Sequence, residues 1–223
     1  MKPPNTIQFE ITSQCNVQCK ICDWGRMPDY PMIDWGQFER ILPAVTPGSL
    51  VSLFGAGEPL LHPQLLDMIR AAFARGARSQ ISTNGVLLTP EFSQALKTAG
   101  LSLVIVSIHG ATKETHERLQ PGVDSDAIWS NVAACVAAGI ETEIAFVPLR
   151  SNIHEVGMLV KRARECGIRA VRFLRFLCPA TKPEVADEDP FTPELLEQNA
   201  AILHRAIAEG RVAGMEVTDY VGV

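Results

Sequence analysis

Residues 6–12, Thr-Ile-Gln-Phe-Glu-Ile-Thr, alternate strictly: Ile7, Phe9 and Ile11 fall on one side, Gln8, Glu10 and Thr12 on the other. A period of two predicts a strand with one face toward apolar packing and one toward something polar. The chain then repeats one pattern. Short apolar runs at 50–54, 79–83, 103–108, 141–147 and 169–176 read as strands. Stretches at 35–45, 64–75, 90–98, 125–138, 153–166 and 193–209 read as helices, and residues 212–223 close as an apolar, strand-like run. Thr89-Pro90 is an N-cap followed by proline at the first helical position. Gly76, Gly100, Gly139 and Gly167 stop successive helices.

Six strand–helix pairs in strict alternation predict a parallel sheet wrapped by right-handed crossovers. Periodicity alone leaves both an open doubly wound sheet and a barrel. Parallel strands covered on both faces should be unbroken apolar runs, yet Gln8, Glu10, Thr12, Glu141, Glu143 and Arg172 interrupt them. A polar inner face fits an incomplete barrel with a wet cavity. The expected fold class is therefore α/β, a partial (βα)6 TIM-like barrel, in which Glu143 and Arg172 pair across adjacent strands.

Length and charge narrow the picture. A chain of 223 residues can bury a full core, and a single core domain over residues 1–223 is expected. The net charge of −5 is mixed along the chain, which argues against binding to nucleic acid or an anionic membrane. The most apolar stretch, 101–108, is too short to span a bilayer. Met1-Lys2-Pro3-Pro4 runs straight into the first strand, leaving no room for a signal peptide, so a cytoplasmic location is expected. The last residues, Asp219 to Val223, stop inside a strand-like run. They read either as a natural edge strand or as a truncation after about residue 210.

Ligands of parallel α/β sheets sit at the C-terminal strand ends, and the unusual residues cluster there. The first strand leads into Cys15-Asn-Val-Gln-Cys19-Lys-Ile-Cys22, the second into Gly55-Ala56-Gly57-Glu58-Pro59. The third ends at Ser82-Thr83-Asn84-Gly85, the fourth at Ser107-Ile108-His109-Gly110. Three close thiols point to metal rather than disulfide in a reducing compartment. Three ligands leave a tetrahedral or cubane site one protein ligand short. The alternative is a structural zinc site closed by Asp23 or His62. His109 reads as a cavity-lining residue or substrate contact, and His116 as a surface or capping residue. Cys135 and Cys166 read as buried inert thiols, whereas Cys178 sits on the rim after the sixth strand.

The spacing Cys-x3-Cys-x2-Cys after a strand, with these motifs in this order, resembles the radical S-adenosylmethionine (radical SAM, AdoMet) superfamily. The resemblance covers residues 6–178 and looks closest to the branch of molybdenum-cofactor cyclases, peptide maturases and sulfatase-activating enzymes. It implies a [4Fe–4S] cluster on Cys15, Cys19 and Cys22, with the free iron chelated by the amino and carboxylate groups of AdoMet. It implies reductive AdoMet cleavage to a 5′-deoxyadenosyl radical that takes hydrogen from an unknown substrate, a peptide or small metabolite. An electron donor such as flavodoxin or ferredoxin is implied too. By the same resemblance Ile21 lies near the adenine. Gly55, Gly57, Glu58 and Pro59 form the motif that receives the methionine amino group. Asn84 has a familiar counterpart, and Ser107 contacts ribose or carboxylate. The chain departs from the pattern at Ala56, at His109, and at Gln120, which falls where relatives place a carboxylate-binding arginine; Arg118 is the substitute partner. No auxiliary-cluster (SPASM-type) cysteines follow, since Cys135, Cys166 and Cys178 are not spaced as a motif. A glycyl-radical-enzyme activase and a non-enzymatic iron–sulfur or zinc module are the competing functions.

Overall fold

The computed structural model describes residues 6–23 and 32–223. Residues 1–4, from which the sequence argues against a signal peptide, lie outside the described residues. The strands are β1 (Thr6–Gln8), β2 (Leu50–Ser52), β3 (Arg78–Thr83), β4 (Leu103–Ser107), β5 (Glu141–Phe146), β6 (Ala170–Leu174) and β7 (Glu216–Tyr220). The helices are α1 (Trp35–Ile41), α2 (Leu65–Ala74), α3 (Pro90–Ala99), α4 (Lys113–Leu119), α5 (Ser125–Ala137), α6 (Val156–Glu165) and α7 (Leu196–Val212). All strands run parallel in one sheet, in chain order from β1 to β7, and the sheet curls into a half-barrel.

Local chemistry sets the element ends. Asp34 caps α1 in a reciprocal capping box with Gln37. Thr89 accepts Phe92 N–H at 3.2 Å ahead of Pro90, and Asp124 caps α5. Gly100 ends α3 at φ +95°, and a Cβ there would lie 2.6 Å from the Phe73 ring, so both backbone and space require glycine.

Register separates the two faces. Val51, Ile81, Val104, Ile144, Val171 and Val217 point outward into the main core beneath the helices. Each fully buried aliphatic side chain of this kind contributes roughly 1.5–3 kcal/mol. The inner face is chemically different. Gln8, Ser52 and Gln80 align across β1, β2 and β3, with Gln80 Nε2 donating to Ser52 Oγ at 2.7 Å. Leu103, Ile105 and Ala145 form a separate small apolar patch with Leu174. The expected polar interior is present, and Arg172 Nε bonds Glu143 Oε2 inside it.

Several elements differ from expectation. The first strand stops at Gln8 rather than residue 12, because β2 gives way to the loop at 55–58 and the regular ladder has no partner. Residues 9–14 nonetheless stay alongside it: Phe9 N–H donates to Ser52 O at 2.8 Å, and Gly57 N–H to Thr12 O at 3.1 Å. The sixth strand is Ala170–Leu174 rather than 169–176. Helix α4 is an addition, started by Thr112, whose hydroxyl accepts Thr115 N–H at 3.3 Å. The terminal apolar run supplies β7, giving a seven-stranded sheet among the described residues. Among the described residues, no helix is long and apolar enough to cross a membrane.

Candidate functional site

The cysteine loop follows β1 at the C-terminal rim of the sheet, and three segments distant in sequence hold it. Gly57 and Glu58 bond the backbone just before it, Glu58 N–H reaching Gln14 O at 2.8 Å. Lys20 N–H donates to Leu119 O at 2.9 Å at the end of α4. Lys182, 6 % exposed, donates its Nζ to Cys19 O at 2.6 Å. Asp23 accepts Ala180 N–H at 3.0 Å and Thr181 N–H at 3.2 Å. An open cleft of about 690 Å³ lies against the loop, lined by Asn16, Gln18, Lys20, Pro121, Lys182 and Glu184 among others.

The thiols share one electrostatic environment. Burial pushes Cys19 up to about 11; the Gln120 hydrogen bond opposes this, while Cys22 and Cys15 add to it. Burial also raises Cys15, with Glu58 and Cys22 adding to the effect. Cys15 and Cys19, both pushed toward the neutral thiol, need a cationic group beside them to become thiolates together. Side-chain amides already point at both: Gln120 Nε2 at Cys19 Sγ, 3.3 Å, and Asn84 Nδ2 at Cys15 Sγ, 3.8 Å. This donor set fits an anionic thiolate-bound cluster. Among the described residues, no three or more His, Cys, Asp or Glu are gathered about a single metal ion. The two side chains that could close a zinc site are engaged elsewhere: Asp23 accepts from residues 180 and 181, and His62 Nε2 pairs with Ile33 O at 2.9 Å.

Glu58 is 2 % exposed and works between loops. Its carboxylate accepts Leu60 N–H at 3.0 Å, Thr83 Oγ1–H at 2.8 Å and Asn84 N–H at 2.7 Å. A carboxylate has about four acceptor positions, and these three donors occupy three of them. Burial raises its pKa, with the three donors opposing. Pro59 begins the 3-10 turn Pro59–Leu61 that brings Leu60 N–H back to Glu58. The two glycines face protein: a Cβ on Gly55 would lie 2.4 Å from Glu10 Cγ, and one on Gly57 2.5 Å from Gln14 O. They let the 55–58 loop lie directly against the segment that leads into the cysteines.

Asn84 bridges the β3 end to the cysteine loop, its Nδ2 also donating to Asn16 Oδ1 at 2.7 Å. Ser107 ends β4 beside Ala145 on the inner face, half-buried. Ile21 packs against Leu119, Leu149 and Phe176. Arg118 and Gln120 diverge. Arg118 turns outward, Nη2 to Ser151 O at 3.4 Å and Nη1 3.9 Å from Glu188. Gln120 is 1 % exposed and reaches Cys19. Cys135 is buried, while Cys178 is exposed.

His116, read as peripheral, and Glu155, not singled out from the sequence, are both central. His116 is fully buried, not a surface residue, because Gly110 lets the chain close on α4: a Cβ there would be 2.5 Å from His116 N. Its Nδ1 accepts His109 N–H at 3.2 Å. Glu155 anchors the start of α4, accepting Ala111 N–H at 2.7 Å, Thr112 N–H at 3.1 Å and Thr115 Oγ1–H at 2.5 Å. The Thr112-x-x-Thr115 cap and the four-residue spacing of His116 and Gln120 are the sequence signals that could have revealed them.

The Radical SAM superfamily model matches residues 9–163. The AdoMet-dependent heme synthase of Methanosarcina barkeri is 28% identical over 190 residues, covering 83% of this chain and 54% of that protein. The PqqA peptide cyclase of Ruegeria pomeroyi is 28% identical over 227 residues, covering 98% of this chain and 59% of its own. The chain spans about half the length of the curated relatives it matches. In fold it resembles Streptococcus suis SuiB bound to precursor peptide SuiA, with TM-score 0.80, 17% identity, and coverage of 97% of this chain and 48% of that one. It also resembles anSMEcpe with bound AdoMet, with TM-score 0.79, 18% identity, and coverage of 97% and 64%. A parallel half-barrel carrying three cysteines on its C-terminal rim, matched over residues 9–163 by that model, belongs to the radical SAM superfamily of [4Fe–4S]- and AdoMet-dependent enzymes.

Proposed function

We propose that Cys15, Cys19 and Cys22 hold a [4Fe–4S] cluster at the rim and that AdoMet binds beside it over the inner face. The observation that carries this reading is the pair of amide donors, Asn84 from the end of β3 and Gln120 from the end of α4, brought onto two of the three thiols. The chemistry that a bound cluster and AdoMet supply is one-electron cleavage of the sulfonium S–C5′ bond, giving a 5′-deoxyadenosyl radical that abstracts hydrogen. The protein's part is to position and enclose. Glu58 holds the β2 and β3 loops together and keeps one acceptor position for the methionine ammonium. Ser107 and the half-barrel's inner face, with Glu143 and Arg172, line the space for AdoMet and substrate. Ile21 and its apolar neighbours keep water from one side of the loop.

The substrate is a peptide or small metabolite. The relatives' names, synthase and cyclase, favour a substrate radical that goes on to form a bond or ring. A ferredoxin- or flavodoxin-like carrier supplies the electron. Anaerobic reconstitution with iron and sulfide, then dithionite and AdoMet, tests the reading: 5′-deoxyadenosine is expected, and each of Cys15→Ala, Cys19→Ala and Cys22→Ala should abolish it. An intact cluster that yields no 5′-deoxyadenosine, or activity retained in any of the three variants, would overturn it.

A further inference from the structure

We infer that Gln120 is a positioning residue of the cluster, held by His116 so that its amide N–H donates to the Cys19 thiolate and raises the cluster's reduction potential. The inference rests on the proposed assignment of Cys19 as a cluster ligand.

The argument is a chain of hydrogen-bond constraints. An amide's oxygen and nitrogen are assigned from their surroundings, and here the surroundings decide. His109 backbone N–H donates to His116 Nδ1 at 3.2 Å, so Nδ1 is the acceptor and the ring proton of neutral His116 sits on Nε2. His116 Nε2 and Gln120 Oε1 are both buried, and neither meets a partner within hydrogen-bond geometry. The Gln120 side chain favours the protonated imidazole, as an amide oxygen turned toward Nε2–H does. The remaining end of the Gln120 amide, Nε2, is 3.3 Å from Cys19 Sγ. Turning the amide over would set two N–H donors against each other at His116 and aim an oxygen at an anionic sulfur. One backbone N–H at His109 thus determines the orientation of an amide at residue 120.

Hydrogen bonds to cluster sulfurs, together with burial and net charge, set iron–sulfur potentials. Reduction adds one electron and no proton, so the thiolates gain negative charge. A donor on Cys19 Sγ favours that reduced state. Lys182 is beside the same residue, bonded to the Cys19 carbonyl at 2.6 Å, and adds a positive field there. The electron comes from a low-potential one-electron carrier, and Gln120 sets how readily it is accepted.

The test is a redox titration of the reconstituted protein, followed by the electron paramagnetic resonance of the reduced cluster. Gln120→Leu keeps the bulk and removes the donor. The expected result is a lower midpoint potential, by about tenfold in the reduction equilibrium, or about 59 mV for one electron. Gln120→Glu, which replaces the donor with a negative charge, should lower it further. His116→Phe leaves Gln120 in place but frees its amide, and should shift the potential in the same direction by less. Wild-type potential in Gln120→Leu with a full cluster overturns the inference. If Gln120→Leu does not load, an unshifted His116→Phe overturns it. Absence of a cluster in the wild-type protein would instead refute the ligand assignment.

Discussion

Glu58 and Asn84 are joined by a 2.7 Å hydrogen bond from the Asn84 backbone N–H to Glu58 Oε2, which locks the end of β2 to the end of β3. The same carboxylate takes Leu60 N–H and Thr83 Oγ1–H. Glu58→Gln should therefore destabilise the protein before any ligand is considered. One carboxylate oxygen becomes an NH2 group facing donors, and hydrogen bonds to a charged partner are worth about 1.5–3 kcal/mol. A loss of roughly 2–3 kcal/mol in urea unfolding of the cluster-free protein is expected; an unchanged midpoint would contradict this account of Glu58.

Gly57→Ala should be more damaging than its size implies. Its Cβ would meet backbone on the opposing segment, 2.5 Å from Gln14 O and 2.6 Å from Thr12 O, and neither can step aside as a side chain could. Overpacking of this kind costs about 1–3 kcal/mol. The displaced segment leads directly into the cysteines, so iron bound per chain after reconstitution should fall together with thermal stability. Full iron loading in Gly57→Ala would show that the contact is slack.

Acid should weaken the fold through two buried imidazoles. Burial is the main cause at both: His109 is held at about 3, with His116 contributing, and His116 at about 4. Both lie below the ordinary value of 6.5. The unfolded chain then binds more protons than the native one below that value. Stability is fully present above pH 6.5 and is lost as pH falls through 6.5 toward 4 and 3. Denaturant unfolding of the cluster-free protein at pH 7 and pH 5 should give a clearly lower midpoint at pH 5. His116→Gln should flatten the dependence; an equal slope in that variant would remove His116 as its source.

Inside the half-barrel, Glu143 is 3 % exposed and pairs with Arg172, with Arg169 Nη1 3.5 Å away on its other oxygen. Removing one partner of a buried ion pair strands the other charge. Arg172→Met should accordingly be less stable than the double variant Glu143→Leu/Arg172→Met. Additive losses in the double-mutant cycle would show that the two side chains do not depend on one another.

The alternation of strands and helices was legible because each element carries its own period and its own cap. The polar inner face was legible for the same reason: Glu143 and Arg172 stand where a doubly covered strand would have apolar residues. The cysteine loop could be found by spacing alone. What could not be read was which side chain faces which. Arg118 and Gln120 are two residues apart on the end of a short helix. One turns toward Glu188 on the surface and the other into the interior toward Cys19. That choice is made by the docking of α4, which depends on Gly110 and on Glu155, 44 positions beyond Ala111. The glycines at 55 and 57 stand in a motif read as ligand-binding, yet the contacts they permit are with residues 10 and 14. Long-range packing of this kind leaves no local period.

The anchoring of the cysteine loop has a consequence for the order of assembly. Cys19 is bonded to a side chain 101 residues downstream, and its carbonyl to one 163 residues downstream. Asp23 is held from 157 and 158 residues away. Contacts so distant in sequence close late, because their loop entropy must be overcome first. During synthesis the three cysteines emerge long before the residues that shape them. The native loop is therefore a product of nearly complete folding, and iron and sulfide are best received by a chain that has already closed its half-barrel.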